Sequence, residues 1–309
     1  MPRFSDFTFL SCDGQTPIHV RRCEPEGAVR GVVQIAHGIA EYAARYDAFA
    51  AFLAEQGFLV VANDHLGHGQ SLRSPEALGI FAARGGWELA VDDMHRLSAQ
   101  IRRERPDLPY FLFGHSMGSF LTRSYLIRYP GGLRGAVLSG TGQQPVPLLA
   151  VGRLMSALEV RRHSPDYQSA LLNQMAFGSY NKAFEPRRTD FDWLSRDEAQ
   201  VDRYVADPLC GFIPSAQLLH DMMCGIRFNQ RPDQLARMDR DLPVLFLSGA
   251  LDPVGAAGKG VGKAFESFRK AGMRELSLKL YPGGRHEMLN EINRAEVFAD
   301  VLAWLERWM

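Results

Sequence analysis

Residues 114–118, Gly-His-Ser-Met-Gly, set a serine between two glycines at the end of an apolar, aromatic-rich run, Pro109-Tyr110-Phe111-Leu112-Phe113. The run reads as a strand, and beyond the serine Phe120, Leu121, Ser124, Tyr125 and Ile127 recur at helical spacings of three and four. A serine placed there is a candidate nucleophile. A sharp strand-to-helix turn lifts its hydroxyl clear of the sheet, and side chains two positions either side would strike the strand and the helix, hence Gly114 and Gly118.

A serine hydroxyl is nearly un-ionised at neutral pH, so Ser116 needs a base. The base needs an acid to hold its tautomer, and the developing oxyanion needs N–H donors. In a parallel sheet these groups come from loops at the carboxyl ends of strands. Of nine histidines, His163, His220 and His286 follow the elbow, and only His286 directly follows a strand, in Tyr281-Pro282-Gly283-Gly284-Arg285-His286-Glu287. The order serine, acid, histidine then selects Asp252, four residues past the strand ending at Ser248. Asp241 precedes its strand and lies at the wrong end of the sheet. One oxyanion donor is the N–H of Met117, at the start of its helix. The other is assigned to Ile39, in the loop His37-Gly38-Ile39-Ala40, with Gly38 permitting close approach. His115 is read as support beneath the turn, and His65 and His68 as a hydrogen-bonded structural loop. One loop with a single carboxylate is a thin ligand set, so no metal is expected. Asp92, Asp93 and His95 are read as the polar face of a helix.

The elements that must hold these groups follow a βα rhythm. Residues 4–10 and 17–23 alternate about Asp13-Gly14 and predict an antiparallel hairpin. Strands are predicted at 32–36, 58–62, 109–113, 135–139, 242–248 and 275–281, and helices near 46–56, 87–105, 258–271 and 290–308. Ile292, Phe298, Val301, Leu302 and Leu305 give the last helix a core-facing stripe. The rhythm stops between 143 and 230, a helical stretch rich in Met, Leu, Tyr and Phe. Residues 1–142 and 231–309 therefore read as one α/β core domain, mostly parallel, interrupted by a helical cap at 143–230.

Bulk composition removes several function classes. The chain has 309 residues with 35 basic and 35 acidic side chains, so it offers no electrostatic footprint for nucleic acid. No apolar run approaches the ~18 residues that span a bilayer, and the first residues carry no leader-like apolar segment. A cytoplasmic protein is expected, with peripheral contact of the cap with lipid left open. Cys12, Cys23, Cys210 and Cys224 lack metal-ligand spacing; Cys12 and Cys23 lie on neighbouring segments, but free thiols are expected.

Taken together, His37-Gly38-Ile39-Ala40-Glu41 with Arg45-Tyr46, residues 63–71 (Asn-Asp-His-Leu-Gly-His-Gly-Gln-Ser), Gly114-His115-Ser116-Met117-Gly118 and residues 281–291 resemble the monoacylglycerol lipase and lysophospholipase branch of the α/β-hydrolases. The resemblance covers the whole sheet domain. It implies the α/β-hydrolase fold, a Ser116–Asp252–His286 triad, an oxyanion hole from Ile39 and Met117, and a cap over an acyl pocket. It also implies carboxylic-ester hydrolysis through an acyl-enzyme, without a cofactor. Across the cap it thins, although Phe191-Asp192-Trp193-Leu194-Ser195 and Asp207-Pro208-Leu209-Cys210-Gly211-Phe212 are similar to bacterial members. The expected substrate is a single-chain acyl ester, a monoacylglycerol or a lysophospholipid. An aminopeptidase or acyltransferase using the same triad is the alternative. A peptidase would turn a cap carboxylate (Asp207, Glu185 or Asp221) toward Ser116 to meet an α-ammonium. A non-catalytic binding protein is disfavoured by the retention of nucleophile, acid, base and both donors.

Overall fold

The apolar runs of the chain become the inner strands of an eight-stranded sheet in the computed structural model, which describes residues 1–309. The strands are β1 (Arg3–Leu10), β2 (Pro17–Glu24), β3 (Gly31–Ala36), β4 (Phe58–Asn63), β5 (Tyr110–His115), β6 (Gly135–Ser139), β7 (Val244–Gly249) and β8 (Leu276–Tyr281). Their spatial order is β1-β2-β4-β3-β5-β6-β7-β8. The six from β4 to β8 in that order pair in parallel, and β2 joins β1 and β4 antiparallel. This is the mostly parallel sheet that the βα rhythm predicts. Every residue of β3, β4, β5, β6 and β7 is buried, because helices cover both faces of these strands.

Around the sheet run α1 (Asp47–Glu55), α2 (Gly86–Glu104), α3 (Met117–Arg128), α4 (Val146–Arg162), α5 (Ala170–Phe177), α6 (Glu198–Ala206), α7 (Ala216–Asn229), α8 (Pro232–Leu235), α9 (Lys259–Lys270) and α10 (Arg294–Arg307). Alternation along β5 sends Leu112 into one core with α2, α3 and α9, and Phe111 and Phe113 into another with α1 and α10. Each such fully buried side chain contributes about 1.5–3 kcal/mol of hydrophobic stabilisation. The two cores clamp β5 from both sides, and β5 carries the serine.

Between β6 and β7, ahead of the short α8, stand α4, α5, α6 and α7. Ser169, Asp197 and Ser215 cap the last three by accepting the N–H of Leu172, Gln200 and Leu218, each cap worth about 1 kcal/mol. Helix α4 buries Leu149, Gly152, Ser156 and Glu159 and lies against α7.

Two expectations need correction. Asp93 is buried and accepts the Ser11 hydroxyl at 2.7 Å and the Cys12 N–H at 2.6 Å. It closes the β1–β2 hairpin end onto α2 and does not belong to a solvated face. Ile292 is 61% exposed and precedes α10, whose buried stripe is Val297, Phe298, Val301, Trp304 and Leu305. Cys23 lies opposite Phe4, while Cys12 follows the strand end where Leu10 meets Pro17. About 20 Å of hairpin separates the two thiols, and all four cysteines are free.

Candidate active site

Strand β5 ends at His115 and α3 begins at Met117, so Ser116 takes the whole turn, with φ 51° and ψ −120°. That conformation costs a non-glycine residue about 1–3 kcal/mol and persists only where its surroundings impose it. Here the Ser116 N–H donates to the Ser139 carbonyl at 2.9 Å, and its own carbonyl accepts the Ser119 N–H at 2.9 Å and the Ser119 hydroxyl at 2.6 Å. A Cβ at Gly118 would stand 2.0 Å from the Ala36 carbonyl oxygen, and one at Gly114 2.4 Å from that of Gly118. Both positions therefore exclude a side chain.

His286 lies in the loop after β8. Its Nδ1 donates to Asp252 Oδ1 at 2.9 Å, which leaves Nε2 as the lone-pair nitrogen. Nε2 is buried and has no partner within the protein. Asp252, 0% exposed, also accepts the Ser248 hydroxyl at 2.8 Å and the Val254 N–H at 2.9 Å. Burial alone would raise the Asp252 pKa, but the adjacent His286 and these hydrogen bonds outweigh it and hold the carboxyl below its ordinary value. Burial likewise disfavours imidazolium at His286, and the charge and hydrogen bond of Asp252 reverse the balance, raising its pKa. His115, expected beneath the turn, stands beside His286 with ring centroids 4.7 Å apart and donates or accepts at Ser139 Oγ, 3.2 Å away. Burial and the neighbouring His286 push the His115 pKa down to about 3, so it stays neutral.

The Ile39 N–H donates to no group of the protein, and Met117 opens α3, where first-turn N–H groups lack intrahelical acceptors. The Ile39 loop is held from behind. His37 donates from Nδ1 to the Gly38 carbonyl at 2.7 Å and accepts the His65 N–H at Nε2 at 2.9 Å. Burial drives the pKa of His37, His65 and His68 down, to about 4 for His68, so the three clustered rings stay neutral. A Cβ on Gly38 would lie 3.2 Å from Ser116 Cβ, which shows how closely the loop and the elbow approach.

Gly38, Ile39, His115, Ser116, Met117 and His286 all border one cavity of about 390 Å³. Its lining from α4 and α7 is apolar: Leu148, Leu149, Val151, Met222, Met223 and Ile226. Asp207, Asp221 and Glu185 are absent from the wall. Asp207 accepts the Tyr42 hydroxyl at 2.7 Å, Asp221 the Gly86 N–H at 2.9 Å, and Glu185 the Arg187 N–H at 3.0 Å. The carboxylates that do reach the cavity are Glu41, Glu287 and Asp190. The Trp193 ring, 5.0 Å from His286, also borders it, and its carbonyl accepts the His286 N–H at 3.3 Å. Sequence reasoning assigned no role to Trp193 or Ser248, since a lone aromatic or serine carries no pattern of its own.

The chain is similar to known proteins along nearly its whole length. The family model described as serine aminopeptidase, S33 matches residues 27–293. A monoacylglycerol lipase from Mycolicibacterium smegmatis is 30% identical over 292 residues, covering 91% of this chain and 90% of its own. A mouse monoglyceride lipase is 29% identical over 305 residues, covering 97% and 88%. A thermostable carboxyl esterase from Bacillus coagulans, solved with glycerol, superposes with a TM-score of 0.92 at 28% identity and covers 99% of this chain and 98% of its own. The chain is a serine hydrolase with the α/β-hydrolase fold and belongs to the family described as serine aminopeptidase, S33.

Proposed function

We propose that this enzyme hydrolyses carboxylic esters bearing one acyl chain, such as a monoacylglycerol or a lysophospholipid, through an acyl-enzyme on Ser116. The observation that carries the reading is the cavity of about 390 Å³, apolar along α4 and α7 and bordered also by Ser116 and His286. The names of the mycobacterial and mouse relatives point the same way.

In this mechanism His286 Nε2 accepts the Ser116 proton as Oγ attacks the ester carbonyl carbon. The carbonyl oxygen becomes anionic and takes the N–H groups of Ile39 and Met117, each such donor worth about 2.7–4 kcal/mol in the transition state. Collapse breaks the bond to the alcohol oxygen, which leaves with the proton from His286. Water then gives a proton to His286 as it attacks the acyl carbon, and Ser116 recovers that proton as the carboxylic acid departs. Asp252 stays ionised and holds the imidazole. Gly38, Gly114, Gly118 and His115 support the turn and the loop.

Residues 143–230 serve as a cap. Leu148 and Val151, 59% and 51% exposed, also border the cavity, and Leu154 continues their face at 61%. This rim fits peripheral contact with lipid. No helix is long and apolar enough to cross a membrane. A cytoplasmic location suits four unpaired cysteines.

A peptidase reading is weaker on specific grounds. Of the three wall carboxylates, Glu41 and Glu287 are bound to Arg45, and Asp190 is 80% exposed beside Arg187. None is free and buried to receive an α-ammonium. A fluorophosphonate probe should label the native protein and leave Ser116→Ala unlabelled. A single preparation should then turn over p-nitrophenyl esters, monoacylglycerols and lysophosphatidylcholine faster than aminoacyl amides. Preference for the amides, or a folded wild type that resists the probe, would overturn the proposal.

A further inference from the structure

Glu41, Arg45 and Glu287 lie within the motifs of the sequence, yet the mechanism above uses none of them. They form one buried assembly. Arg45 Nη1 donates to Glu41 Oε2 at 2.6 Å, and Nη1 and Nη2 donate to the two Glu287 oxygens at 2.7 Å each. The carboxylates are 3% and 5% exposed. Glu41 Oε1 accepts the Gly38 N–H at 2.6 Å and the Tyr46 hydroxyl at 2.8 Å, while Asn290 Nδ2 donates to Glu287 Oε2 at 2.9 Å. The guanidinium also lies 4.8 Å from the centre of the Tyr204 ring, whose hydroxyl donates to the Ala40 carbonyl at 3.0 Å. One end of the assembly thus grips the loop that carries Ile39. The other grips the residue that follows His286.

Resting on the serine-hydrolase reading, the geometry points to Arg45 as a positioning residue that sets the spacing between the Ile39 oxyanion donor and the His286 base. Stability alone is a poor reason for such an assembly, because burying one cation between two carboxylates is expensive and apolar side chains of similar volume often serve as well. A planar fork with fixed donor directions supplies something apolar packing lacks: a defined distance between two loops. That distance matters most when the tetrahedral intermediate forms. Anionic oxygen at Ile39 and imidazolium at His286 must then be accommodated together, whereas the ground-state ester demands neither. Loss of the bridge should therefore appear in kcat and leave substrate binding largely untouched.

The test compares Arg45→Met, Arg45→Lys and Glu287→Gln with wild type on a p-nitrophenyl ester, with kcat expressed per active site titrated by fluorophosphonate so that misfolded protein drops out. Glu287→Gln leaves Arg45 paired with Glu41 and keeps the test open if Arg45→Met does not fold. Arg45→Met should lose about 100-fold in kcat, the size expected of a misplaced catalytic group. KM should move by less than about threefold. Affinity for an acyl trifluoromethyl ketone, which binds as the tetrahedral adduct, should fall by the same factor as kcat, and affinity for the fatty-acid product should not. Arg45→Lys, with its charge but without the fork, should fall between. Wild-type kcat per titrated site in Arg45→Met and Glu287→Gln, or a rise in KM with kcat unchanged, overturns the proposal. An active wild type with unimpaired variants overturns the bridge alone, while a wild type that neither labels nor hydrolyses overturns the hydrolase reading and the bridge with it.

Discussion

His286 and Asp252 meet across 2.9 Å, both buried, and the second imidazole nitrogen of His286 has no partner in the protein. One nitrogen is thereby committed to the carboxylate and the other kept available, an arrangement with consequences for rate and for pH.

Asp252→Asn should leave the fold intact, since the amide oxygen can still accept the Val254 N–H while the amide NH2 donates to the Ser248 hydroxyl oxygen. It should also lower kcat by about 10⁴-fold, because a neutral amide no longer stabilises the imidazolium that forms or fixes its tautomer as a carboxylate does. Steady-state kinetics with circular dichroism decides it. Activity within tenfold of wild type would mean that another acid serves His286.

The pH profile has a definite sign. The proposed general base works only when neutral, and His286 is held above the ordinary imidazole value of 6.5. The acidic limb of kcat/KM should therefore have its midpoint above 6.5, and neutral His115 should add no second limb. Stability follows by linkage. The raised pKa of His286 contributes stability that is present below 6.5 and lost as pH rises through its folded value. The depressed pKa of Asp252 contributes stability that is present above 3.8 and lost as pH falls through its folded value. The Tm difference between wild type and Asp252→Asn should therefore be greatest between 3.8 and 6.5 and narrow on both sides. A pH-independent difference would contradict the assignment.

Gly152 offers a handle on acyl length. A Cβ there would lie 2.1 Å from Met223 Sδ, and both residues border the cavity. The methionine is flexible and can move, and cavity space lies open to it. Gly152→Ala should shift the preferred p-nitrophenyl ester to a shorter chain with kcat on the shortest esters preserved. An unchanged chain-length profile would place the acyl group elsewhere.

Arg123 of α3 is fully buried with no carboxylate partner. It donates to the Gly142 carbonyl at 2.8 Å, Gln143 Oε1 at 3.2 Å and the Asn229 carbonyl at 3.4 Å, which are the outgoing and returning stems of the segment between β6 and β7. Burial pushes its pKa down to about 10, so the fork remains charged at neutral pH. Arg123→Met removes those bonds and also an unpaired buried charge. The two effects oppose each other in global stability, so local exchange is the sharper readout. Amide deuterium exchange should accelerate at 142–144 and 229–231 while β3 and β5 stay protected. Equal protection in the variant would show that the stems are held by other contacts.

The strand runs and the glycines about Ser116 were legible because each is a local pattern: period, length and a steric demand within a few residues. The antiparallel hairpin was legible for the same reason. Local patterns misled where a partner arrived from a distance. Asp93 reads as a solvated helix face until Ser11 and Cys12, 82 and 81 residues away, place their donors on it. Ile292 continues the spacing of the last helix, but the chain there precedes α10, so period without helix buries nothing.

By itself the sequence offered a candidate serine nucleophile, the order serine, aspartate, histidine for the proposed triad, and the parallel sheet that brings strand ends to one edge. All three depend on neighbours in the chain and on the few ways strands and helices connect. Tertiary structure alone decided which carboxylates face the cavity and which are spent on Tyr42 or Gly86. It also decided that Arg45 meets Glu287 across 242 positions. Charge pairing and burial belong to contacts in space, and a linear order of residues does not contain them until the sheet has folded.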